Sequence, residues 1–138
     1  MATKRQQERI ANWVSRWKAR LLLNNWAVII RYVPKDSEER RSDGRMCDQY
    51  AEIIVDPRYK EAVLKIYPAT LDAPVGFQKA TILHEVAHIV TWPVKCALEK
   101  AERKGAISAK ERDDLFEGIT EDIAKIVLRE SGKDNYRL

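Results

Sequence analysis

The chain has two histidines, and both fall in one short run, His84-Glu85-Val86-Ala87-His88. Four residues advance an α-helix by about 400°. If the run is helical, the two imidazoles therefore project from one face, one turn apart, where both can reach a single ion. Histidines at this spacing with a glutamate after the first are the pattern of a zinc site in which the glutamate acts as a general base. The alternative is a pair of helix histidines satisfied by ordinary hydrogen bonds. The segment around them is strongly apolar, with Ile82, Leu83, Ile89 and Val90, and a polar trio there needs partners or a metal to offset its desolvation.

A zinc ion in such a site takes two imidazole nitrogens and a third protein ligand, and keeps a fourth position for water. The ion acidifies that water, and Glu85 is placed to accept its proton and hand it to a leaving amine. The expected chemistry is peptide-bond hydrolysis. No histidine remains to be the third ligand, which excludes every version of the motif that uses three, so a carboxylate from a later helix is the natural choice. Phe116-Glu117-Gly118-Ile119-Thr120-Glu121-Asp122-Ile123-Ala124 offers Glu117 and Glu121 one turn apart. On a helical wheel Leu115, Ile119, Ile123 and Ile126 define a stripe expected to be buried, and Glu117 falls between Ala124 and Leu128 on a second, partly apolar face. Glu117 is thus the expected ligand. Glu121, on the same side but nearer solvent, is the expected partner for the far nitrogen of a ligating histidine. The two roles are exchangeable, and without the histidines both would read as a solvated acidic face. A hydrolase also needs a donor for the developing oxyanion; Tyr50, Tyr59, Tyr67, Arg129 and Tyr136 are the candidates, and the sequence does not choose among them.

These residues need elements to hold them. From Thr3 to Leu23, Ile10, Trp13, Val14, Trp17, Leu21 and Leu22 recur at intervals of three and four, which predicts an amphipathic helix with its tryptophans in the core. Asn24-Asn25 breaks it. Trp26 to Val33, Gln49 to Val55 and Ala62 to Tyr67 read as three strands, the first and third stopped by Pro34 and Pro68 and the second by Asp56-Pro57. The charged stretch Lys35 to Arg45 reads as a loop. The third strand is equally compatible with an exposed edge, along which an extended peptide would pair, and with buried pairing. Thr70 to Pro74 is a connector. Val75 to Thr91 carries helical periodicity, and Trp92-Pro93 is expected to end or kink that helix. A further helix follows to about Lys104, a turn covers Gly105 to Ser108, and a last helix runs from Ala109 to about Ser131. The order predicts one α+β domain over residues 1–138, with helices on one face of a small three-stranded sheet.

The stretch from Thr81 to Trp92-Pro93, together with Glu117 to Ala124, resembles the small gluzincin-type metallopeptidases, in particular the short metallopeptidases encoded by tailed phages and prophages. The likeness covers the motif helix and the last helix, and extends loosely to the strands. In those relatives the downstream helix carries a ligand glutamate, a polar residue four positions on, then an apolar residue and alanine, matching Glu117, Glu121, Ile123 and Ala124. This chain departs in having Thr120 where alanine is common and Glu121 where asparagine or aspartate is common. The resemblance implies a minimal zincin-like domain, Zn2+ held by His84, His88 and a helix glutamate, Glu85 as base, and a protein or peptide substrate that it does not identify.

Composition sets the outer bounds. With 138 residues, 45% hydrophobic and 33% charged, the chain is large enough to fold without disulfide or metal staples, which leaves a metal free for chemistry. Cys47 and Cys96 begin no Cys-x-x-Cys motif and read as free thiols of a reducing compartment. The polar opening Met1 to Arg9 and the lack of any apolar run near 20 residues point to a cytoplasmic protein with no membrane segment. The net charge of +4 is concentrated early, where Lys4, Arg5, Arg9, Arg16, Lys18, Arg20 and Arg31 face only Glu8. Such a face is ordinarily a solvated helix surface. It also supports an alternative in which the fold is a catalytically idle module meeting nucleic acid. Another zinc hydrolase, such as a peptidoglycan amidase, is a third reading that the missing export signal opposes.

Overall fold

Helix α1 (Lys4–Arg20) opens with a reciprocal cap, in which the Thr3 side chain accepts from the Gln6 backbone and the Gln6 side chain accepts from the Thr3 backbone. It ends earlier than the periodicity predicts. Leu22 turns left-handed at φ 60, and Leu22 and Leu23 donate back to the Ala19 and Lys18 carbonyls, a Schellman closure. Leu22 consequently leaves the expected stripe and is 86% exposed. Ile10, Trp13, Val14 and Trp17 do form the buried face, with the Trp13 and Trp17 rings stacked at 6.1 Å.

The computed structural model describes residues 2–34 and 50–134. The expected Lys35 to Arg45 loop, Cys47, the start of the second strand at Gln49, and Tyr136 lie outside the described residues. Strands β1 (Ala27–Tyr32), β2 (Ala51–Asp56) and β3 (Glu61–Ile66) pair in the order β1-β3-β2, with β1 parallel and β2 antiparallel to β3. The third strand is therefore central and paired on both sides, so the exposed-edge alternative for it is wrong; β1 and β2 are the edges of the described sheet. The register lines up Val28, Ala62 and Val55, then Ile30, Leu64 and Ile53, then Tyr32, Ile66 and Ala51, as three rows on one face. That face meets the core with α1 and the next long helix, and its fully buried large side chains, Leu64 and Ile66, each contribute about 1.5–3 kcal/mol.

After a one-turn helix α2 (Pro68–Leu71), whose Thr70 hydroxyl donates to the Tyr50 carbonyl, the chain enters α3 (Val75–Arg103). This helix does not stop at Trp92-Pro93. Pro93 lies inside it, and the two helices expected from the sequence are one. Proline costs a helix interior about 3 kcal/mol, and here the antiparallel helix α4 (Ala109–Asp134) packs along α3 on both sides of the proline. Thr91 meets Thr120 before it, and Arg112 meets Glu102 after it. Between the helices, Gly105 adopts φ 78, Gly105 and Ala106 donate to the Glu102 and Ala101 carbonyls, and Ser108 and Glu111 cap α4 reciprocally. The architecture is α+β, with four helices and a small mixed sheet among the described residues. No described helix is long and apolar enough to cross a membrane.

Candidate metal centre

The motif run lies in the first half of α3. Ile82, Leu83, Val86, Ala87 and Ile89 are buried there, which turns His84 and His88 toward α4 with their rings 4.8 Å apart, edge to face. His84, Glu85 and His88 offer ligand atoms that all lie within 4.8 Å of one another.

Glu117 and Glu121 arrive from α4 beside the second face, the one with Ala124 and Leu128, but it is that face and not the Leu115 stripe that is buried. The buried side of α4 is Phe116, Thr120 and Ala124, whereas Leu115, Ile119 and Ile126 of the expected stripe are exposed and Ile123 is only partly buried. The helix carries two part-apolar stripes, and the one it buries bears Phe116, Thr120 and Ala124, with Thr120 meeting Thr91 of α3. The carboxylates on its flank consequently stand at the mouth of the groove. The Glu117 side chain is 56% exposed and that of Glu121 46%, so the expectation of a buried Glu117 with Glu121 nearer solvent is reversed.

Exposure does not keep them apart from the histidines. One Glu117 oxygen, Oε2, lies 2.9 Å from His84 Nε2 and 3.4 Å from His88 Nε2. Glu121 Oε2 lies 2.7 Å from His84 Nδ1. The far nitrogen of His88, Nδ1, lies 3.2 Å from the Thr120 hydroxyl. Each imidazole thus presents Nε2 to a shared carboxylate and has Nδ1 held from behind, the arrangement that orients histidine ligands. Contact with the Glu117 carboxylate, opposed by burial, raises the His84 pKa, with further help from Glu85 and Glu121. The two imidazoles in turn hold Glu117 far below the usual carboxylate range, His84 contributing first.

The site opens into a cleft of about 720 Å³. Glu85, His88 and Glu117 stand in its wall, β2 runs along it from Glu52 to Val55, and Trp92, Phe116, Lys95 and Arg112 line the part beyond His88. The Lys95 ammonium sits 4.1 Å over the Trp92 ring, and Phe116 packs on His88 with ring centres 4.6 Å apart. Of the described oxyanion candidates, none lines this cleft. Tyr67 is buried, Tyr59 is exposed in the β2–β3 turn, Tyr50 packs on Phe77 at 4.7 Å, and Arg129 is an exposed residue of α4. Trp92, Lys95, Phe116 and Arg112 were not singled out from the sequence, although Trp92, Lys95 and Glu99 repeat the His88 face of α3 at helical spacing. Among the early basic residues Arg9 is tied into the fold. Its guanidinium lies over the Trp13 ring at 5.5 Å and donates to Gln78, whose own amide binds the Leu71 and Ala73 carbonyls.

Compared with known proteins, the chain matches no family model, no curated protein and no solved structure.

Proposed function

We propose that this chain is a zinc-dependent peptidase of zincin type, in which His84, His88 and Glu117 hold the cation, Glu85 is the general base and Glu121 orients His84. The observation that carries the reading is the single Glu117 oxygen facing both Nε2 atoms. Two atoms that each bind a tetrahedral zinc at about 2.0–2.1 Å stand about 3.3 Å from one another. The separations of 2.9 and 3.4 Å are of that size, so these donors fit the ion with little rearrangement. When bound, zinc supplies Lewis acidity, polarising a carbonyl and acidifying a water.

The remaining work falls to the chain itself. Glu85 takes the proton of the attacking water and returns it to the departing amine. Glu121 keeps His84 protonated at Nδ1, so that Nε2 stays available. The cleft between β2 and the motif helix is where an extended peptide would lie, with Trp92 and Phe116 as an apolar wall for one of its side chains. The test is cleavage by the purified chain of a mixed peptide library. Activity is expected to disappear with a chelator and return with zinc, and Glu85→Gln is expected to lower it by roughly 10²–10⁴-fold while zinc stays bound. Unchanged activity in the Gln variant would remove Glu85 from its assigned role.

A further inference from the structure

Thr91 and Thr120 are polar residues in the middle of two packed helices, 1% and 0% exposed. A threonine hydroxyl has one proton to give and two lone pairs. Thr120 Oγ1 lies 2.8 Å from the Phe116 carbonyl, an atom that can only accept, so the Thr120 proton goes there. Thr91 Oγ1 is also 2.8 Å from Thr120 Oγ1. Its other acceptors, the Ala87 and His88 carbonyls, lie at 3.5 and 3.4 Å, long for a hydroxyl donor. Thr91 accordingly donates to Thr120. The one lone pair left on Thr120 faces His88 Nδ1 at 3.2 Å, and an oxygen whose proton is committed elsewhere requires the ring nitrogen to bring its own.

We propose that Thr120, backed by Thr91, is a positioning residue that locks His88 as the Nδ1–H tautomer and turns its Nε2 lone pair into the site. This rests on the metal-centre reading above. A neutral His88 so held has a bare Nε2 that is 3.4 Å from Glu117 Oε2. A lone pair facing a carboxylate oxygen is repulsive unless a cation lies between them, so the relay presets the site for an ion. The two histidines are served differently. His84 is oriented by the half-exposed Glu121 carboxylate, whose place water can take, whereas the His88 partner is sealed between α3 and α4, where solvent offers no substitute.

Two readouts separate this inference from the reading beneath it. Long-range proton–nitrogen NMR of the metal-free wild-type protein, at mildly alkaline pH where a neutral imidazole carries one proton, is expected to find that proton on Nδ1 of His88. Zinc affinity by chelator competition is expected to fall roughly tenfold to a hundredfold in Thr120→Val, which keeps the shape without the hydroxyl, and to recover in Thr120→Ser. A His88 proton on Nε2 in the wild type, or wild-type affinity in the Val variant, would overturn the relay. A wild type that binds no zinc yet shows the Nδ1–H tautomer would instead overturn the metal centre and leave the relay standing.

Discussion

Glu117 and Glu121 touch the same histidine through its two different nitrogens, and their removal should be felt differently. Glu117→Ala takes away an oxygen facing both imidazoles and is expected to empty the site under conditions where the wild type is saturated. Glu121→Ala leaves all three proposed ligands in place and is expected to weaken zinc roughly tenfold to a hundredfold; titration of both variants against a zinc-sensitive chelator reads the difference. The spacing of four in His84 to His88, and again in Glu117 to Glu121, was legible because it follows from helix geometry alone. Which carboxylate would be more buried was not, since a wheel finds apolar stripes without knowing which one a neighbouring helix takes. The contact between Thr91 and Thr120 was not legible for the same reason, although Thr120 stood out as a departure from the resembling family's alanine. A mid-helix threonine reads as surface until a second threonine is seen 2.8 Å away.

Local rules located the ends of elements well where a cap is encoded nearby, as with Thr3 and Gln6, or Gly105 with Ser108 and Glu111. They failed at Pro93, where the preference of the preceding residue is outweighed by packing of α4 over both halves of α3. Pro93→Ala is therefore expected to raise unfolding free energy by about 1–3 kcal/mol, measured by urea denaturation; a loss of stability would mean that the proline ring itself packs productively. Leu22 is the converse case. It holds a left-handed conformation at φ 60 with its side chain almost wholly in water. Glycine relieves a strain of about 1–2 kcal/mol at the price of extra unfolded-state entropy, so Leu22→Gly is expected to stabilise by about 0.5–1 kcal/mol in the same measurement.

Over the whole molecule, the fold class was legible from the succession of periods, helical, then strand-like, then helical. The strand order was not. Nothing in three apolar runs says that the last enters between the other two, the order that leaves β1 and β2 at the edges of the described sheet, with β2 beside the cleft. The core of α1, the sheet and the buried face of α3 is built from apolar side chains that do not involve the histidines. Chelator treatment is accordingly expected to leave a cooperatively folded protein. Excess zinc should stabilise it through mass action, by about 4 kcal/mol at a thousand times the dissociation constant, visible as a raised Tm. Unfolding of the metal-free chain would assign the ion a structural role.

The most direct measurement of the proposed centre is zinc K-edge absorption spectroscopy on the loaded wild type and on Glu117→Ala. The prediction is four nitrogen or oxygen neighbours at about 2.0–2.1 Å with the scattering signature of two imidazoles, and loss of the ion or of one light-atom neighbour in the variant. A sulfur neighbour at about 2.3 Å, or a spectrum that Glu117→Ala leaves unchanged, would contradict it.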